Sequence, residues 1–304
     1  MLKFISVPEQ TSDSKKDYIV NLHTARSKRA LAAAIMVSLC TFVAVSSALS
    51  SDDKSKSSFI YFTTLSNLLS AAGAMFMIPY AVEGIRKKRF TMPRWIMLFQ
   101  YAGAVSVFIT LFCAVTIISF TLGPRFAFRG RNFWLHLVTP VQAIILFLAV
   151  ETNQKITRRD SAIALIPFWA YGVLYFVMVI LIGKEHGGWP DIYQTTSRLP
   201  VWIVFLLMFA IGCAAAIFLR KIHNRVLDRS VRNLTGQWEG LDSAELESEA
   251  FGLGRYMSRH LDKSEIIIPM DILELMSQKC KVSTEDLSKA YIKGVEEGLK
   301  DLMA

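Results

Sequence analysis

The chain has 304 residues, of which 53% are hydrophobic and only 19% charged, with a formal net charge of +9. A soluble domain of this length carries about 25% charged residues, and here the apolar residues are gathered into runs of about 20, the length that crosses a hydrocarbon core. The basic residues sit at the ends of those runs, where they orient a membrane protein; they form no nucleic-acid footprint, and no nucleic-acid partner is expected.

Residues 1–29 are polar, end in the basic cluster Arg26, Lys28 and Arg29, and read as an N-terminal tail. The first apolar run is Ala30 to Leu49. Ser47, Ala48 and Ser50 imitate a cleavage site, but a signal peptide normally sits nearer the N-terminus, so a retained span is expected. The second run is about Ser58 to Val82, followed by a basic loop with Arg86, Lys87, Lys88, Arg89 and Arg94. The third is about Trp95 to Leu122, the fourth Asn132 to Val150, the fifth Ala162 to Ile182 and the sixth Pro200 to Leu219. The expected fold is therefore all-α: a polytopic bundle of six transmembrane helices over residues 30–220, with a small helical region over 221–304.

Lys and Arg are distributed unequally between the two sets of connections. The N-tail, the second and fourth connections and the segment after the sixth run hold nineteen; the other connections hold seven, namely Lys54, Lys56, Arg125, Arg129, Arg131, Lys184 and Arg198. The richer side is expected to be cytoplasmic, which places both termini inside a cell membrane crossed six times. From Asn233 onward eight Lys/Arg face fourteen Asp/Glu, a net of −6, which leaves about +15 on residues 1–232. The acidic segment lies beyond a Gly-containing break at Asn233–Gly240 and reads as a separate helical module, with Ser243 and Ser283-Thr284-Glu285-Asp286 as helix starts. A cytosolic partner of unspecified kind is the expectation for it. Asn233-Leu234-Thr235 matches a glycosylation sequon, but on the cytoplasmic side it is unused.

The four cysteines, Cys40, Cys113, Cys213 and Cys280, show no metal or disulfide spacing, so neither a metal, a cofactor nor a disulfide framework is expected. Polar side chains inside the runs are informative, because each costs free energy unless it is paired or faces a cavity. Thr63, Asn67 and Ser70 share one face of the second helix, with Thr64 and Ser66 at its edges. Asn132, His136 and Thr139 repeat that spacing on the fourth helix, and Pro167, Tyr171 and Tyr175 on the fifth. Counted from the non-cytoplasmic ends of their helices, Thr63, Thr64 and His136 lie at a similar depth, about 6–9 Å. His136 is the one histidine within the expected spans, and the loop His186–Asp191 is placed to cover it. Gly103, Ser106, Thr110 and Cys113 form a small-residue stripe on the third helix that reads as packing.

These residues suggest a family. Tyr61-Phe62-Thr63-Thr64-Leu65-Ser66-Asn67-Leu68-Leu69 resembles the second-helix signature of bacterial six-span relatives of the androgen-induced integral-membrane threonine hydrolases. Asn132-Phe133-Trp134-Leu135-His136-Leu137-Val138-Thr139-Pro140 is similar to the fourth-helix His-x-x-x-Pro signature of that group. Pro167-x-Trp169-x-Tyr171 and Gly188-Trp189-Pro190 resemble its fifth-helix and following-loop patterns. The resemblance covers roughly residues 30–220. It implies an intramembrane hydrolase of fatty acid esters, acting on membrane-borne lipid ester substrates. In that reading Thr63 or Thr64 is the nucleophile, His136 the base, and Asn67, Asn132 and Tyr171 contact substrate. Asn67 or Asn132 would then donate to a developing oxyanion. The alternative is a non-enzymatic membrane protein, either a small-molecule or lipid transporter or a sensor signalling through the tail. No charged residue lies near the middle of any expected span, which argues against ion-coupled transport.

Overall fold

The computed structural model describes residues 12–49, 58–86, 92–150, 155–193, 195, 200–235, 243–260, 273, 277 and 282–303. Its helices follow the apolar runs, because a backbone in hydrocarbon must satisfy its hydrogen bonds within each segment. Six helices are long and apolar enough to cross a membrane. They are Ser27–Ser47 within α1 (Ser12–Leu49), α2 (Phe62–Arg86), α3 (Arg94–Thr121), α4 (Arg131–Leu148), α5 (Arg158–Ile182) and Val201–Leu227 within α6 (Val201–Thr235). Among the described residues every regular element is helical. The expected all-α bundle of six spans is therefore the observed architecture.

Two ends differ from the sequence reading. The first helix begins at Ser12, inside the stretch read as a polar tail, since no Gly or Pro interrupts Ser12–Leu49. The sixth runs past Leu219 to Thr235, the last described residue of that stretch. Its apolar window extends to Leu227 and includes His223, so His136 is not the sole histidine within a span. His223 is buried and stacks on Phe147 with ring centroids 4.7 Å apart.

The chain forms two compact units. One comprises Arg26–Val82 and Thr91–Leu227, and α3 is its hub, with nearly every residue from Ile96 to Thr110 buried. Between apolar helices in lipid there is little hydrophobic drive, so close packing and polar contacts must hold the bundle. Gly103 permits a close crossing: a Cβ there would stand 2.8 Å from the Ser70 Cα of α2. One turn further, Ser66 and Thr110 share a 2.8 Å hydrogen bond. The stripe read as packing is thus a packing seam. Where α3 and α5 begin, the Thr157 side chain and Asp160 form a capping box that opens α5, and Arg94 donates to Asp160 at 2.6 Å. The Tyr101 hydroxyl reaches the Ala216 carbonyl of α6 at 2.6 Å, and Asn224 exchanges two 2.9 Å bonds with the Ile156 backbone. Large apolar side chains such as Leu39, Phe42, Ile166 and Trp202 are left on the outer surface, as lipid requires.

The other unit contains α7 (Ser243–His260) and α8 (Thr284–Met303). Leu246, Ala250, Leu253, Leu287 and Tyr291 form their shared core. The helices meet at reciprocal glycines: a Cβ on Gly254 would collide with the Tyr291 carbonyl, and one on Gly294 with the Phe251 carbonyl. Ser283 accepts from the Glu285 amide as α8 starts, and Glu285 pairs with Lys289 at 2.9 Å. The helix start expected at Ser283–Asp286 is present, while the residues just before Ser243 lie outside the described residues.

Candidate functional site

The polar face of α2 is turned inward. Thr64, Ser66, Asn67 and Ser70 are buried and Thr63 is half-buried. Asn67 is the link to α4. Its amide nitrogen donates to the Thr63 carbonyl at 2.7 Å within its own helix and to the Leu135 carbonyl at 3.0 Å across to α4. Its amide oxygen accepts from the Thr139 hydroxyl. One side chain thereby joins the threonine-bearing turn to the turn that precedes and follows His136.

That turn of α4 is irregular and lies beside a proline. Pro140 has no amide hydrogen to give the His136 carbonyl four residues earlier, and its ring crowds that carbonyl. The helix is widened over Trp134–Val138 into a π-turn, a local form that recurs at functional sites. The Thr139 hydroxyl adds a 2.9 Å bond to the Trp134 carbonyl across the widened turn. His136 sits in the middle of it, only 6% exposed. Its Nδ1 lies 2.8 Å from the Ala127 carbonyl, and because the carbonyl can only accept, Nδ1 donates. In the neutral ring the basic nitrogen is then Nε2. Ala127 ends a short helix, Pro124–Ala127, in the loop between α3 and α4. A backbone carbonyl is thus the group that orients the His136 ring.

The remaining expected site residues bond to backbone. Asn132 donates to the Phe126 carbonyl at 2.9 Å and braces the same loop. Tyr171 donates to the Ile60 carbonyl at 2.8 Å and lies 3.4 Å from the Tyr193 hydroxyl. Tyr193 in turn accepts from the Phe62 amide at 2.9 Å, at the first turn of α2. Tyr175 donates to Asp191 at 2.8 Å. The loop after α5 therefore ties itself to the start of the helix that carries Thr63 and Thr64. Two parts of this arrangement lay outside the sequence reading: the Ala127 carbonyl, which no side-chain pattern reveals, and Tyr193. Gly-Pro at 123–124 could have signalled the short helix, since Pro favours a first helical position.

Chemically, the region presents two threonines, an amide bridge and a histidine of fixed ring orientation, all within the span region. Both Asn67 amide hydrogens are engaged by carbonyls, so in this geometry the side chain acts as a bridge between helices. Among the described residues no group of three His, Cys, Asp or Glu could hold a metal. Cys40, Cys113 and Cys213 are free, while Cys280 lies outside the described residues. The chain matches no protein-family model, no curated protein and no solved structure.

Proposed function

We propose that the chain is an intramembrane hydrolase of lipid esters, with Thr63 or Thr64 as nucleophile and His136 as general base. The observation that carries this reading is the bond from His136 Nδ1 to the Ala127 carbonyl. It fixes the ring and makes Nε2 the proton acceptor, as a base that activates a hydroxyl requires. The Asn67 bridge supports the pairing, because it holds the Thr63 turn against the His136 turn. In the forward step the threonine oxygen bonds to the ester carbonyl carbon and its proton passes to Nε2. The alcohol leaves with that proton. Water, activated by the same nitrogen, then releases the acid and restores the threonine. The membrane would be a cell membrane, with both termini cytoplasmic by the nineteen-to-seven basic count.

The test is hydrolysis of long-chain esters by the purified full chain, with a serine/threonine-hydrolase probe as a second readout. His136→Ala should lower hydrolysis by at least 100-fold. One of Thr63→Ala and Thr64→Ala should abolish both hydrolysis and labelling while the protein still accumulates in the membrane. Full activity in His136→Ala would overturn the mechanism. The separate α7–α8 unit favours a second reading, a sensor that signals through its tail to a cytosolic partner. Absence of probe labelling in the wild-type chain would favour that reading.

A further inference from the structure

We propose that the loop between α3 and α4 binds the phosphate headgroup of an anionic phospholipid, on the membrane face opposite the termini. This inference does not depend on the hydrolase reading. The loop spans residues 122–130 and joins two spans, so it lies at a membrane boundary. Its backbone groups are largely occupied. The Phe126 and Ala127 amides donate to the Gly123 carbonyl, the Phe128 amide donates to Pro124, and the Phe126 and Ala127 carbonyls accept from Asn132 and His136. Gly123, with φ of 89°, and Gly130, with φ of 57°, permit the two bends that frame it.

The exposed side chains of the loop and its flanks form an amphiphilic pattern. Arg125 and Arg129 are exposed, and Phe126 between them is 54% exposed. Leu122 and Phe120 on one flank and Phe133 and Trp134 on the other are also exposed large apolar side chains. A guanidinium presents a fork of N–H donors that matches phosphate oxygens in pairs. Aromatic rings favour the boundary between headgroups and acyl chains. The combination suits a ligand with an anionic phosphate above and hydrocarbon below, which a free phosphate is not. The charge also stands out against its surroundings, because this face holds only seven Lys and Arg and three of them, Arg125, Arg129 and Arg131, fall in or beside this loop. Arginines so placed work against the usual basic asymmetry of a membrane protein, and an anionic partner compensates them.

The test uses the full chain in mixed detergent–lipid micelles and reads tryptophan quenching by dibrominated lipids. Dibrominated phosphatidylglycerol should quench more than dibrominated phosphatidylcholine. The Arg125→Gln/Arg129→Gln variant should lose at least half of that excess, while Arg125→Lys/Arg129→Lys should keep most of it. The cytoplasmic-end control Arg158→Gln/Arg159→Gln should leave untouched the part that the first variant removes. An unchanged excess in Arg125→Gln/Arg129→Gln would overturn the proposal. Millimolar inorganic phosphate removing the excess as fully as unlabelled phosphatidylglycerol would overturn it too, since the loop would then be an anion site and not a lipid site.

Discussion

Asn67 is the residue on which the junction of α2 and α4 turns. Its three engaged positions answer the Thr63 carbonyl, the Leu135 carbonyl and the Thr139 hydroxyl. Interhelical polar contacts in membranes contribute modestly, about 1–2 kcal/mol at the upper end, because the separated helices also find partners. Asn67→Ala should therefore destabilise the detergent-solubilised protein by about 1–2 kcal/mol. Thr139→Val should cost somewhat less, as it spares the Leu135 contact. The two share a bond, so the double variant should fall short of additivity by about 0.5 kcal/mol or more. Strict additivity in thermal midpoints would show that the Asn67–Thr139 contact does not form. The sequence placed Asn67 on the polar face correctly, since that face follows from spacing. What the amide does there depended on which carbonyls α4 offers, and α4 offers them because its turn is widened.

At the scale of the element, α4 shows how a proline four residues after a histidine shapes a site. The His136 carbonyl loses its α-helical partner to Pro140, and the π-turn over Trp134–Val138 accommodates the defect. Restoring the amide hydrogen gives the His136 carbonyl its α-helical partner back and favours a regular turn. Pro140→Ala should therefore leave the thermal midpoint unchanged or raise it, since Pro inside a helix costs about 3 kcal/mol. If His136 is the base, the same change should reduce ester hydrolysis at least 10-fold, because a lost π-turn rotates every later residue relative to every earlier one. A destabilised variant with undiminished hydrolysis would contradict this account. A similar logic runs through α3, where Gly103 admits the α2 backbone. The small-residue stripe, at intervals of three and four residues, was readable in the sequence; the partner helix was not.

For the whole molecule, topology and modularity are the open measurements. With native cysteines replaced, a single cysteine at His186 should react with an impermeant thiol reagent added outside intact cells. One at Ser243 should remain unlabelled until the membrane is permeabilised. Labelling of Ser243→Cys in intact cells would reverse the orientation drawn from the basic count. A chain ending at Arg232 keeps the compact unit of Arg26–Val82 and Thr91–Leu227. It should insert with the same topology and keep its thermal midpoint within a few degrees. Residues 233–304 alone should be soluble and helical by circular dichroism, since α7 and α8 enclose a core of their own. A large drop in midpoint on truncation that shrinks in high salt would instead show that the acidic tail, net −6, holds the basic body together by screened charge contacts.

The sequence by itself determined the number of spans, their approximate limits, the all-helical class and the polar faces of α2 and α4. These are consequences of hydrophobic length and of the 3.6-residue period, both local properties of a chain in lipid. It also marked the acidic start of α8, where the helix-capping residues are explicit. The tertiary structure alone decided that the Ala127 carbonyl orients His136, that Asn67 bridges two helices and that Tyr193 caps the start of α2. Each of these is a contact between side chain and backbone over a distance in the chain that no periodicity encodes. A carbonyl is present at every residue, and only packing selects the one that accepts.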